Sequence, residues 1–336
     1  MSSIADVNGI KLGHASDAKG ITGFTVVLCE DGAAGSVAVF GGAPGTRETD
    51  LLRPSFTVGR VHSVFLSGGS AFGLNAAEGV VRYLEEKNIG FDTQIARIPI
   101  VAGAVIFDLG IGDPKSRPTP EMAYQACLDA GHYHSESGNI GAGMGATVGK
   151  LFGPHYMMKS GLGNSSLKLS DGYTVGCVIV ANAAGDVYNP ETGRPVAGAY
   201  DGMKKRFLSL VAPTSGASAS DCGPGDLIGR NTTIGVVATD AELTKDECRR
   251  VAIMAMGGLA RAIRPSFTPF DGDTIFVLST GRVHALQNNG PGSEFVAELV
   301  AQIGIAAQEA VVKAVLDAVT SCKGIAGIPA MADIES

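Results

Sequence analysis

The stretch Leu227-Ile-Gly-Arg-Asn231-Thr232-Thr-Ile-Gly-Val-Val-Ala-Thr239 decides how this chain is read. From Thr232 onward it has the β-branched content of a buried strand. Upstream lies Thr214-Ser-Gly-Ala-Ser-Ala-Ser-Asp-Cys-Gly-Pro-Gly-Asp226, which carries almost no core-forming side chains and reads as a loop. A polar loop therefore runs straight into a rigid strand at the Asn231-Thr232 dipeptide. A cut before Thr232 would leave that strand with an N-terminal Thr, whose own α-amine can serve as base for its hydroxyl. Alone, such a dipeptide is an ordinary loop-to-strand junction. The rest of the chain decides between the two readings.

Outward from this junction, segments 21–30 and 35–40 read as adjacent strands and 61–66 as another. Segment 74–87 has helical spacing, and Thr119-Pro-Glu-Met opens a second helix with a Thr cap and Pro at the first helical position. Segments 173–181 and 186–188 read as a hairpin turning through Asn182-Ala-Ala-Gly185. Past the junction, Thr244-Lys-Asp-Glu247 is a capping box, 273–278 is a strand and 293–319 one long helix. Strand pairs and helices mix without a βαβ alternation, which favours α+β layers over a doubly wound parallel sheet.

Composition narrows the function. Of 336 residues, 45% are hydrophobic and 18% charged, so the chain is globular, and its length alone allows one or two domains. The 47 glycines, about twice the usual share of roughly 7%, imply tight turns and close backbone approaches. A net charge of −7, few aromatics and no Trp argue against nucleic acid and anionic membranes as partners. Six cysteines (Cys29, Cys127, Cys177, Cys222, Cys248, Cys322) without a C-x-x-C pair read as buried thiols of a reducing compartment. With no apolar run of about 18 residues and no basic-then-apolar leader, the expected location is the cytoplasm.

Several motifs have a plainer reading beside the functional one. Gly141-Ala-Gly-Met-Gly-Ala-Thr-Val-Gly-Lys150 fails the Walker pattern at Met144 and Leu151, and no convincing strand precedes it for a dinucleotide site. It does deliver Lys150 from a Gly-rich turn. His132-x-His134 lacks a carboxylate or Cys cluster to complete a metal site, and His14, His62, His155 and His284 stand alone. Asp271-Gly-Asp273 puts two carboxylates on one side of a chain entering a strand; it is either an Asp-Gly turn or a pair that holds an ammonium or orients a hydroxyl. Asn182, at a strand end, is either a turn residue or a donor to a developing oxyanion.

Together these segments resemble the family of self-cleaving amidohydrolases that contains the L-aminopeptidase/D-amidase-esterases, the β-peptidyl aminopeptidases and the endo-type 6-aminohexanoate-oligomer (nylon oligomer) hydrolases. The resemblance runs from Leu66-Ser-Gly-Gly-Ser-Ala-Phe-Gly-Leu74 through 141–150 and 178–190 to Asn231-Thr-Thr-Ile234 and Asp271-Gly-Asp-Thr274. It implies a single domain, 1–336, an αββα sandwich of the N-terminal-nucleophile type, cut autocatalytically into fragments 1–231 and 232–336 that stay associated and assemble into homo-oligomers, a tetramer of cleaved heterodimers. It implies Thr232 as nucleophile and Lys150 as active-site lysine. It further implies Asn182 near the oxyanion, Asp271 and Asp273 as support for the nucleophile, and no cofactor or metal.

Departures from the family pattern choose the branch. The aminopeptidases place a Glu that binds the substrate amine two residues before a Tyr, whereas Ala104-Val-Ile-Phe-Asp108 has Val105 and Phe107 there. The missing Glu weakens an exo-aminopeptidase assignment, the Asn-Thr junction and the Asp pair point to the nylon-oligomer branch, and Phe107 is a candidate for the substrate pocket. The expected activity is hydrolysis of small amide or peptide substrates. The alternatives are an aminopeptidase/D-amidase-esterase, an acyltransferase of related fold as in ornithine acetyl transfer, and a non-catalytic binding protein.

Overall fold

After β1 (Lys11–Asp17) the chain enters β2 (Thr22–Val39), a strand of eighteen residues that serves two sheets. The computed structural model describes residues 2–208, 231–283 and 293–334 (293–295 as backbone alone), so the loop 214–226, Cys222 and His284 lie outside the described residues. The first half of β2 pairs antiparallel with β1 and with β3 (Val61–Ser67), which lies parallel to β4 (Val101–Val105). The second sheet runs β5 (Leu162–Lys168), β6 (Thr174–Asn182), β7 (Thr232–Ala241), β8 (Thr274–Val283) and then the second half of β2. Among its described strands, β7 and β8 are the parallel neighbours and the other pairs are antiparallel.

The two strands expected over 21–30 and 35–40 are thus one. Asp31-Gly32 reads as a turn, and Gly32 does take φ +78°, but the register against β3 slips between Leu28 and Ala33 instead of folding back. That irregularity bends the strand out of one sheet and into the other. The expected 173–188 hairpin is also corrected. Asp186–Tyr188 leaves the sheet and pairs with Pro195–Ala197 and Ile263–Arg264, while β6 takes β5 and β7 as partners. The turn chemistry marked the end of β6 but not where the next strand went.

Three apolar clusters separate four layers. Helices α1 (Ala77–Glu86) and α2 (Pro120–Asp129) pack on Phe24, Val26 and Phe65 of the first sheet. Val27, Val64 and Ala102 of that sheet meet Val178, Ile234, Val236 and Phe276 of the second. Cys177, Ile179, Val237, Ile275 and Val277 turn the other way, onto α3 (Lys245–Ala262) and α4 (Ser293–Thr320). The period-two alternation of side chains along each strand builds this αββα order. By length and composition α4 is apolar enough to cross a membrane; here Ile303, Ala307, Val311 and Val315 are buried in the core. The Thr119 cap and the Thr244–Glu247 capping box start α2 and α3 as their sequences indicate.

Candidate active site

Parity along β7 decides where its first residue points. Ile234 and Val236 face the inter-sheet core, so Thr232, two residues earlier, is on that face at the end of the strand. The antiparallel partner of Thr232 on β6 is Asn182, on the same face as Val178 and Val180. Directly opposed residues of this kind hold their Cβ atoms roughly 5 Å apart. Sheet pairing thus sets a buried hydroxyl beside a buried amide, Thr232 being 4% and Asn182 0% exposed.

Lys150 arrives on the Gly-rich loop. Gly149 has φ +73° and passes so close to Gly198 and Ala199 that a Cβ would overlap their backbone. The main chain is pinned where Lys150 N–H donates to Ala184 O at 2.9 Å. Lys150 Nζ then donates to Asn182 O at 2.9 Å and to Asn182 Oδ1 at 2.7 Å. Thr147 N–H adds a bond to the same Oδ1 at 3.1 Å, and Asn182 Nδ2 donates to Phe107 O at 3.3 Å. With two donors on Oδ1, the orientation of the Asn182 amide is set. Burial lowers the Lys150 ammonium to a pKa of about 7, against the pull of Asp271 and Asp108.

The Asp-Gly-Asp segment lies alongside Asn231-Thr232-Thr233, with Asn231 bridged to Asp271 in parallel register and Ile234 paired with Thr274. Gly272 is therefore the neighbour of Thr232. A side chain there would start 2.8 Å from Thr232 Oγ1, so the glycine leaves room for the hydroxyl. Gly272 N–H donates to Asn231 O at 2.9 Å, and Thr232 Oγ1 donates to the same oxygen at 2.5 Å. Two donors thus polarise the carbonyl before Thr232.

The aspartates fall on the alternate face. Asp271 Oδ2 accepts from Thr268 N–H at 2.8 Å and Thr268 Oγ1 at 2.6 Å. Asp273 accepts from Thr233 N–H at 2.7 Å and Phe267 N–H at 3.0 Å. Asp273 ties down the backbone just after Thr232, and Asp271 braces the turn of its own segment. Burial, then the nearby Asp271 charge, raises the Asp273 carboxyl to about 7, opposed by the bonds from Phe267 and Thr233.

A cavity of about 690 Å³ opens on this cluster, with Phe107, Lys150 and Asn231 in its wall. The structure therefore brings Thr232, Asn231, Lys150, Asn182, Asp271, Asp273 and Phe107 to one end of the sandwich. His132 and His134 are not among them; His134 bonds Glu136 and Asp129 O instead. Among the described residues no group of His, Cys, Asp or Glu is arranged to hold a metal.

Sequence reasoning missed three supporting residues. Gly272 was hidden as a turn glycine, although a residue without a side chain between two carboxylates was the available signal. Asp108 accepts from Thr22 Oγ1 at 2.6 Å and Gly69 N–H at 2.7 Å, anchoring the segment that carries Phe107. Lys159 is fully buried, with Nζ bonded to the carbonyls of Gly143, Ala146 and Ser160 beneath the Gly-rich loop. Nothing local marks a buried lysine.

The pattern of peptidase family S58 matches residues 2–331. An uncharacterized aminopeptidase of Mycobacterium tuberculosis is 44% identical over 349 residues, covering 99% of this chain and 98% of that protein. A 6-aminohexanoate-oligomer endohydrolase of Agromyces sp. is 28% identical over 313 residues, covering 93% of this chain and 84% of that protein. Among solved structures, a Burkholderia sp. β-aminopeptidase superposes with TM-score 0.71 at 20% identity, over 99% of this chain and 92% of its own. The L-aminopeptidase D-Ala-esterase/amidase of Ochrobactrum anthropi, described as a variant of the Ntn hydrolase fold, gives TM-score 0.68 at 19% identity, over 96% of this chain and 86% of its own. The sandwich is this Ntn-type fold, and the chain belongs to peptidase family S58, as a hydrolase acting on amide bonds.

Proposed function

We propose that this protein is a self-processing amidohydrolase that cuts itself between Asn231 and Thr232 and then cleaves amide bonds of peptides or 6-aminohexanoate oligomers. The observation that carries this reading is Thr232 Oγ1 lying 2.5 Å from Asn231 O, on a carbonyl that also accepts from Gly272 N–H. In the first reaction Thr232 Oγ bonds to the Asn231 carbonyl carbon, the C–N bond breaks and the proton passes to the freed amine. Water then hydrolyses the resulting ester. The free α-amine, with a reference pKa of about 7.7–8.0, becomes the base for the same hydroxyl.

With an external amide, Thr232 Oγ forms an acyl-enzyme, the leaving amine takes the proton, and water releases the acid. Asn182 stands opposite Thr232 and stabilises the oxyanion, with Lys150 supplying charge. Asp271 and Asp273 hold the backbone that presents the nucleophile. The fragments 1–231 and 232–336 remain one domain and assemble into a homo-oligomer in the cytoplasm.

The 44% identity to proteins named aminopeptidases supports a second reading, release of residues bearing a free amine. Intact mass of the purified protein beside Thr232→Ala tests the shared core of both. Two fragments beginning at Met1 and Thr232, with the variant whole, are expected. A single 34.2 kDa chain after long incubation would refute self-processing.

A further inference from the structure

The cavity beside Lys150 has two unlike ends. Thr147, Lys150 and Asn231 form a polar end, and Phe107, Leu109, Ile111, Phe152 and Met157 form much of the remaining wall. No Asp or Glu is among the described residues that line it. At about 690 Å³ it lies within the range of sites that take ligands larger than a single small side chain.

Asn231 says which half of a substrate belongs there. It is the acyl group of the chain's own bond to Thr232, and its carbonyl oxygen lies 2.5 Å from Thr232 Oγ1. A substrate carbonyl must take that same place to be attacked. Its acyl chain then extends from the position of Asn231 into the space that Asn231 borders, while the amine departs with the bond that breaks.

We infer that this cavity is the acyl-group site and selects an extended, uncharged apolar acyl chain, so that the preferred substrates are amides with no ammonium on the acyl side. The inference rests on reading Thr232 as the nucleophile. An ammonium drawn from water into an apolar wall is penalised heavily unless a carboxylate pairs with it, and the described wall offers Lys150 in place of one. Hydrocarbon chains gain from the same wall by leaving water. A wall of this kind separates the chain from hydrolases that hold a substrate's free amine.

The test uses the self-cleaved protein with matched p-nitroanilides: hexanoyl against 6-aminohexanoyl, and N-acetyl-leucyl against leucyl. The neutral member of each pair is expected to have the higher kcat/KM, by about 100-fold. Equal rates, or faster release from the amine-bearing members, would overturn the inference and leave the amidohydrolase reading intact. Turnover of neither member, nor of peptides or oligomers, would overturn both.

Leu109→Glu and Ile111→Glu, at half-buried positions of the wall, provide a second measurement in whichever variant still self-cleaves. Each is expected to narrow the gap by about tenfold or more by pairing with the substrate amine. A gap unchanged in cleaved variants would place the acyl chain elsewhere and overturn the assignment of this cavity.

Discussion

Replacing Gly272 by Ala tests the geometry of the junction with one methyl group. That methyl would lie 2.8 Å from Thr232 Oγ1, 2.9 Å from Ala43 O and 3.2 Å from Pro44 Cα. Gly272 does not occupy the left-handed region, so Ala is allowed there by its backbone. The reduced entropy of the unfolded chain favours Ala by about 0.4–1 kcal/mol. Overpacking opposes it by about 1–3 kcal/mol, and because the Ala43 carbonyl belongs to the backbone, the clash wins. The net loss is about 1–2 kcal/mol. Relief of the 2.8 Å contact moves the hydroxyl or the backbone that presents it, and a displacement of about 1 Å costs on the order of 100-fold in rate. A time course of intact mass measures self-cleavage, and urea unfolding of the Thr232→Ala background, with and without Gly272→Ala, measures stability. Cleavage at the parent rate with an unchanged unfolding midpoint would refute the placement of Gly272 against Thr232 Oγ1.

Other contacts carry three more outcomes. Asn182→Ala, by removing the amide opposite Thr232, is expected to lower kcat of the cleaved enzyme about 10²- to 10³-fold in single-turnover assays. Lys159→Met leaves the carbonyls of Gly143, Ala146 and Ser160 without their buried donor and is expected to cost about 3 kcal/mol or more in urea unfolding. Asp186 is raised by burial from 3.8 to about 7, opposed by the bond from Ala199 N–H. Between those values the unfolded chain has lost a proton that the folded chain keeps, so stability falls as pH rises, by up to about 1.4 kcal/mol per pH unit. Asp186→Asn is expected to flatten that slope in unfolding curves taken across the interval.

Much of the site was legible because its residues sit where local patterns change. Thr232 marks a loop-to-strand boundary, Asn182 a strand end, Lys150 the end of a Gly-rich run and Asp271-Gly-Asp273 the entry to a strand. The caps at Thr119 and Thr244 were equally readable, because their hydrogen bonds close within four residues. Less legible were β1, β5 and the continuity of β2. β1 carries Gly13 and His14, β5 carries Asn164 and two serines, and the Asp31-Gly32 bend in β2 imitates a hairpin turn.

By itself the sequence determined an α+β arrangement, since strand pairs and helices follow one another without a βαβ alternation, and the αββα order of the layers was implied only by the family resemblance. It also determined which residues are chemically able to act. Only the tertiary structure decided who stands beside whom. Alternation says which face a side chain takes but not which strand becomes its neighbour, and a one-residue slip reverses every face. Long-range register set Thr232 opposite Asn182 and beside Gly272, and turned the two aspartates to the alternate face. That register is established by burial on both sides of the second sheet, through contacts between residues far apart in the chain.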